Sequence, residues 1–254
     1  MADNSAVHFK LIYAKADDRC EACIKKRKNT FTDFMNPIAA EKTMQAIKNE
    51  KNGIFCRSFG GYEEAERKII GFSLEKWDEI NDSFPITALS VEYNPRFSKP
   101  LCHKDYLGSV LGLGLDRGKV GDIVLLENGA FVFVSSEIAE YIANNLKQVG
   151  NTEVKIKISG EPSFIQAEKP ASRIRVSSLR LDAVISGAFS LSRSKSASLI
   201  EGDKVFVNWS PADNGAKTLK EGDTVTARGF GRIKVEGTIG KTKKDKYILM
   251  ITKY

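Results

Sequence analysis

Between Pro85 and Ser159 the chain switches repeatedly between two hydrophobic periods, and no other stretch restricts its fold so tightly. "PITALSVEYN" alternates apolar and polar residues from Ile86 to Tyr93, the two-residue period of a half-buried strand. "CHKDYLGSVLGLGL" then sets Tyr106, Val110, Leu111 and Leu113 where a helix would gather them for packing. "GDIVLLENGAFVFVS" holds two apolar runs around Glu127-Asn128-Gly129 and reads as a hairpin. "SSEIAEYIANNLKQVG" opens on a serine cap, carries Ile138, Tyr141, Ile142 and Leu146 at helical spacing, and stops at Gly150. "TEVKIKIS" alternates once more. The predicted order is βαββαβ over residues 81–160, the split-βαβ or ferredoxin/RRM-like arrangement. Such a fold hosts many activities and assigns none by itself.

Residues 1–80 are expected to form a mainly helical domain with a short β element. Helix is predicted from residue 8 to about 50, with Pro37 in a first turn after Asn36 and with Ile38, Met44 and Ile47 available for a buried face. "GIFCRSFGGYEEAERKIIGFS" places two short apolar runs on either side of Gly60-Gly61, which suggests two strands. After the central domain, "GEPSFIQAEKPAS" has two prolines and little periodicity, so residues 161–175 are expected to be a linker. Residues 176–254 would then be a third domain. The whole reads as an α+β, multidomain chain, and 254 residues supply enough apolar material for separate cores.

Charge is segregated along this chain. From Arg173 onward there are 16 Lys and Arg against 8 Asp and Glu, a net of +8, whereas the preceding residues hold 23 against 24. The basic excess therefore lies in the last third, the pattern of a polyanion-binding module on a nearly neutral body. Cys20 and Cys23 form a CxxC, but no second pair and no suitably spaced histidine accompanies them, so two ordinary thiols are expected and no metal or cofactor. No apolar run reaches the roughly 20 residues of a membrane span, and no secretion signal is visible; a cytoplasmic protein is expected.

In "SSLRLDAVISGAF", Leu181, Val184, Ile185 and Ala188 fall at i, i+3, i+4 and i+7, one apolar stripe on a short helix. A bend at Gly187-Ala188-Phe189 leads to Ser192, a suitable N-cap for a second helix. Arg193 and Lys195 then occupy that helix's first turn. Cations there oppose the helix dipole by roughly 0.3–1 kcal/mol. A phosphate bound at this end would remove the conflict, because backbone N–H groups, serine hydroxyls and two cations converge on it. The strand "KVFVNW" follows, and further alternating strands run to the end with Lys241, Lys243, Lys244 and Lys246 around a turn, for which a solvated hairpin tip is the plain reading.

The elements Arg180-Leu181-Asp182, Ser192-Arg193, Leu199-Ile200, Gly202, Val205, Val207-Asn208 and Glu221-Gly222-Asp223 occur in the order of an S4 RNA-binding domain, which this region resembles. The resemblance implies an αL-type helix pair and strand forming a groove for structured RNA. It puts Arg193, Lys195, Lys204 and Asn208 towards phosphates with Arg180 flanking, adds Arg228 and Arg232 as candidates, and leaves Asp182 to orient basic neighbours. The rest of the chain, through "TDFMNP", "GGYEEAER" and "HKDYLGSVLGLGLDRGKVGDI", is similar to the YlmH-type bacterial S4-domain proteins. Lys104 stands where that family more often has Arg, which keeps the charge and loses the bidentate fork. The likeness implies a protein of translation: binding to the ribosome, through large-subunit rRNA or peptidyl-tRNA, in ribosome-associated quality control, with a reported tie to cell division. No DNA or membrane partner is implied, and the free protein is expected to be a monomer.

Enzyme readings gain little from the residues. "RLD" at 180–182 belongs to the S4 helix and cannot also serve a pseudouridine synthase loop. "GLGLDRG" follows a helix and lacks the GxGxxG spacing of a methyltransferase, so it reads as a helix cap and turn. His103 and Asp105, two apart on a helix, face different ways with no nucleophile or metal partner evident. A second RNA or ribosome contact at His103, Lys104 and Arg117 is the functional expectation for the central domain. A non-catalytic RNA-binding protein is the leading reading. An RNA-modifying enzyme, using the S4 module to hold substrate, and a division adaptor are the alternatives.

Overall fold

Helix α1 (Asp3–Lys26) and helix α2 (Pro37–Glu50) are separated by a short strand, β1 (Thr30–Phe31), so the helical stretch expected from residue 8 to 50 is broken. Arg27 turns the chain with φ 49°, and Thr30 and Phe31 pair with Phe72 and Gly71. Pairing to a sheet edge overrides the local preference for helix. The computed structural model describes residues 3–78, 83–159 and 171–253. At α2 the expected cap is present: the Asn36 side chain accepts the Ala39 N–H at 2.8 Å, with Pro37 in the first turn. Ala39, Ala40, Thr43 and Ile47 form the buried face, while Ile38 and Met44 are only half-buried. Strands β2 (Phe55–Phe59) and β3 (Ile69–Ser73) are antiparallel, as their apolar runs predict, and β3 is buried along its whole length.

The central region follows its predicted rhythm closely. Strand β4 (Ile86–Glu92), helix α3 (His103–Leu111), strands β5 (Val120–Leu126) and β6 (Gly129–Ser135), helix α4 (Ser136–Asn145), the two-residue strands β7 (Gln148–Val149) and β8 (Thr152–Glu153), and strand β9 (Lys155–Ser159) appear in that order. The antiparallel sheet runs β5-β6-β4-β9, the order of a ferredoxin-like fold. One face carries Leu89, Val91, Val132 and Val134 against Tyr106 and Val110 of α3 and Ala139 and Ile142 of α4. Burying each large aliphatic side chain contributes about 1.5–3 kcal/mol. Helix α4 ends at Asn145, short of Gly150, because the β7–β8 hairpin turns at Gly150 with φ 58°.

Two compact units are present, Met1–Gln166 and Ala167–Tyr254. The boundary expected at residue 80 therefore lies inside one unit, and one pair of residues explains why. The Arg67 guanidinium donates to the carbonyls of Val120 (3.0 Å), Phe34 (2.9 Å) and Arg117 (3.2 Å). The Asp122 carboxylate accepts the Tyr62 hydroxyl (2.9 Å) and the N–H groups of Glu66 (2.6 Å) and Arg67 (3.1 Å). Removal from water, with Arg117 nearby, pulls the Arg67 guanidinium down to about 10. Thus "TDFMNP", "GGYEEAER" and "DRGKVGDI" meet at a structural junction. Gly61, at φ +101°, brings the loop so near that a Cβ there would lie 2.4 Å from Phe133, and Tyr62 packs on the same ring at 4.9 Å.

In the second unit, strand β10 (Ala171–Val176) leads to helices α5 (Leu181–Phe189) and α6 (Arg193–Glu201). Strands β11 (Val205–Val207), β12 (Ser210–Pro211), β13 (Thr224–Ala227), β14 (Gly231–Lys241) and β15 (Tyr247–Lys253) complete it. The antiparallel sheet is ordered β10-β15-β14-β13-β11-β12. Residues 161–170 of the expected linker lie outside the described residues, but 171–175 are strand: Ala171 to Val176 pair with Thr252 to Tyr247. Ile174 and Val176 of that strand join the core, an alternation that the charged Arg173 and Arg175 obscure. The predicted stripe of α5 is buried as a set, with Leu181, Val184 and Ile185 at 0% exposure and Ala188 at 1%. The bend expected at Gly187 falls instead at Ser190, whose φ of 55° ends a helix that continues through Phe189.

Candidate nucleic-acid interface

The first turn of α6 is built as its sequence suggests. Ser192 caps the helix, its hydroxyl accepting the Lys195 N–H at 3.2 Å, and Arg193 and Lys195 stand on that turn, which itself carries no acidic residue. Ser196, fully buried, returns its hydroxyl to the Ser192 carbonyl at 3.1 Å. The Arg193 guanidinium donates to the Ser177 hydroxyl, which holds the charge beside the start of α5. There Arg180 grips Asp182 with both arms, Nη2 to Oδ2 at 2.9 Å and Nε to Oδ1 at 3.2 Å. The Arg180 contact, aided by Arg193, holds the Asp182 carboxyl below its ordinary range. Asp182 thus fixes the Arg180 guanidinium, with Arg193 close enough to act on its charge. The turn gathers backbone N–H groups, hydroxyls and cations at one helix end, an arrangement that can coordinate a phosphate.

The remaining candidates fall into a different group. Lys204 accepts the Arg228 N–H on its carbonyl at 2.8 Å, so these two basic residues are neighbours. The Arg228 guanidinium carbon lies 4.6 Å from the Phe206 ring centroid, and that of Arg232 lies 5.7 Å from the Trp209 centroid. Asn208 has an internal task. Its amide nitrogen donates to Asp223 at 2.8 Å and its oxygen accepts the Thr224 N–H at 2.8 Å, so this side chain braces the β11–β12 turn. Ser177, Phe206 and Trp209 were not among the sequence candidates. Only the unusual tryptophan after asparagine in "VNW" could have drawn notice.

The central-domain set divides as well. His103 and Lys104 open α3 and are exposed. Arg117 folds back, its guanidinium donating to the carbonyls of Val120 and Gly121, and serves the same junction as Arg67. The Asp105 carboxylate accepts the Cys102 N–H at 2.9 Å and its thiol at 3.0 Å, which lowers its pKa and occupies it as a helix cap. Among the described residues no three His, Cys, Asp or Glu side chains are grouped to hold a metal. Burial pushes the Cys20 thiol up to about 11, and the Cys23 thiol also rises. No helix among the described residues is long and apolar enough to cross a membrane.

Fold and charged helix end together define an RNA-binding protein of the S4 class, and the S4 domain family matches residues 179–225. The family described as "Putative RNA-binding domain in YlmH" matches residues 80–160. Bacillus subtilis (strain 168) has a relative named ribosome-associated protein quality control protein P2. It is 35% identical over 218 residues, which cover 85% of this chain and 84% of that protein. The chain belongs to the YlmH-type S4-domain RNA-binding proteins. A solved structure, the cell division protein ylmH from Streptococcus pneumoniae, is similar with a TM-score of 0.51. It is 18% identical, covers 61% of this chain and 92% of its own, and supports the fold.

Proposed function

We propose that this protein binds structured RNA on the ribosome without catalysing a reaction, engaging large-subunit rRNA, peptidyl-tRNA or both during ribosome-associated quality control in the cytoplasm. The carrying observation is the α6 N-terminus, where Ser192, Arg193 and Lys195 meet the positive end of the helix dipole. The name of the Bacillus subtilis relative supports the ribosomal setting. The segregated basic charge supports a polyanionic partner. His103 and Lys104 at the start of α3 are a second contact in this reading, while Arg117 acts through the fold.

Arg193→Glu tests the proposal by ribosome co-sedimentation and by titration with structured RNA at two salt concentrations. Affinity is expected to decrease by at least tenfold, and its logarithmic salt slope to become shallower by about one phosphate contact, roughly 0.9. The melting temperature should stay within about 2 °C. Undiminished binding would refute the assignment of this helix end.

A further inference from the structure

We infer that the β11–β12 hairpin is a stacking site for an unpaired RNA base, a role that rests on the RNA-binding reading above and deepens it. Val207 pairs with Ser210 across a two-residue turn whose central residues, Asn208 and Trp209, have φ of 49° and 60°. Turns with both central residues in the left-handed region favour Asn-Gly, since glycine escapes the Cβ clash there. A bulky tryptophan in the glycine position is a genuine outlier. Asn208 holds that strained turn in place through Asp223 and Thr224. Persistence of a costly conformation under such bracing marks a position where the side chain has a use.

The surroundings of the indole indicate the use. Phe206 is in register with Thr226, and Thr226 with Arg232, across three neighbouring strands. This row points away from Val205, Val207, Val225 and Ile233, which form the core beneath α5 and α6. Arg232 is steered by its Nε–H bond to the Thr226 hydroxyl at 3.1 Å, and it lies by the Trp209 ring as Arg228 lies by Phe206. Two half-buried rings and two guanidiniums therefore share the side of the sheet that faces away from α5 and α6. Aromatic rings stack on any nucleobase, and adjacent arginines complement the phosphate attached to it. The net charge of +8 from Arg173 onward favours RNA over a protein segment as the occupant.

The test compares two RNA hairpins, identical except that the loop nucleotides of one lack their bases, in titrations with the full chain. Trp209→Ala is expected to weaken the base-bearing hairpin about tenfold while changing the abasic one less than twofold. Trp209→Tyr, which keeps a stacking ring, should bind within about threefold of wild type. Wild-type tryptophan fluorescence gives a reading that needs no variant, because Trp77 is 9% exposed and Trp209 is the more accessible indole. It should be quenched by the base-bearing hairpin only. Equal losses on both hairpins, or no loss on either, would overturn the stacking site. The ribosomal reading would survive if Arg193→Glu still weakened both. Failure of the wild type to bind either hairpin at low salt would remove both proposals.

Discussion

The Arg67 backbone N–H donates to the Asp122 carboxylate at 3.1 Å, while the Arg67 side chain extends past it to three carbonyls on two other segments. One residue thereby joins the segment before α2, the loop that follows β2 and the start of β5. Arg67→Lys keeps the charge but a single ammonium cannot replace a planar fork directed at separate acceptors. The substitution is expected to cost roughly 2–4 kcal/mol, from carbonyls left without donors. Urea unfolding of the full chain measures it, and a loss below about 0.5 kcal/mol would show the junction to be dispensable.

Asn208 provides a second stability test. Asn208→Ala removes a donor to Asp223 and an acceptor for the Thr224 N–H, both at 2.8 Å. A loss of about 2–3 kcal/mol is expected. Under conditions where the variant remains folded, affinity for RNA lacking unpaired bases should match wild type. A loss of affinity without a loss of stability would return Asn208 to the set that faces phosphates.

The Arg180–Asp182 pair sets a pH dependence. Asp182 titrates below its ordinary 3.8 in the folded chain because Arg180 favours its charged form. The unfolded chain therefore binds more protons in the window beneath 3.8, so the stabilisation is complete above that value and fades as the pH falls through the lower folded one. Asp182→Asn should melt lower than wild type at pH 6, and the gap should narrow on acidification below 3.8. A gap that stays constant from pH 6 to 3 would mean that the ion pair does not contribute.

Thiol modification tests the reading of the cysteines. Cys102 is exposed, Cys20 and Cys23 are buried, and burial pushes Cys20 and Cys56 each up to about 11. A maleimide or aromatic disulfide reagent at pH 7.5 should label Cys102 rapidly, the half-buried Cys56 slowly, and Cys20 and Cys23 only on unfolding. Rapid labelling of Cys20 or Cys23 in the native state would contradict this packing.

Periodicity made the central fold legible, because alternation and helical spacing each report one buried face. The α5 stripe and the Ser192 cap were readable for the same reason. Long-range acceptors were not. Nothing local in "GGYEEAER" or "DRGKVGDI" says that Arg67 seeks carbonyls 33, 50 and 53 residues away or that Arg117 folds back on Val120. Gly129 looked like turn chemistry, yet its φ is ordinary, and a Cβ there would sit 2.3 Å from the Val91 carbonyl. Strand β10 was hidden because its outward positions are arginines next to a proline-bearing stretch. The S4 resemblance puts Asn208 towards phosphates, and nothing local reveals its partners fifteen and sixteen residues downstream.

Strand β10 finds its mate in β15, with Ala171 opposite Thr252. During synthesis the opening strand of this unit must wait for nearly every residue that follows it, whereas α5 and α6 each close their hydrogen bonds within nine residues. A chain interrupted before residue 247 would leave β10 without its partner and β14 with an open edge, a template for pairing with other chains.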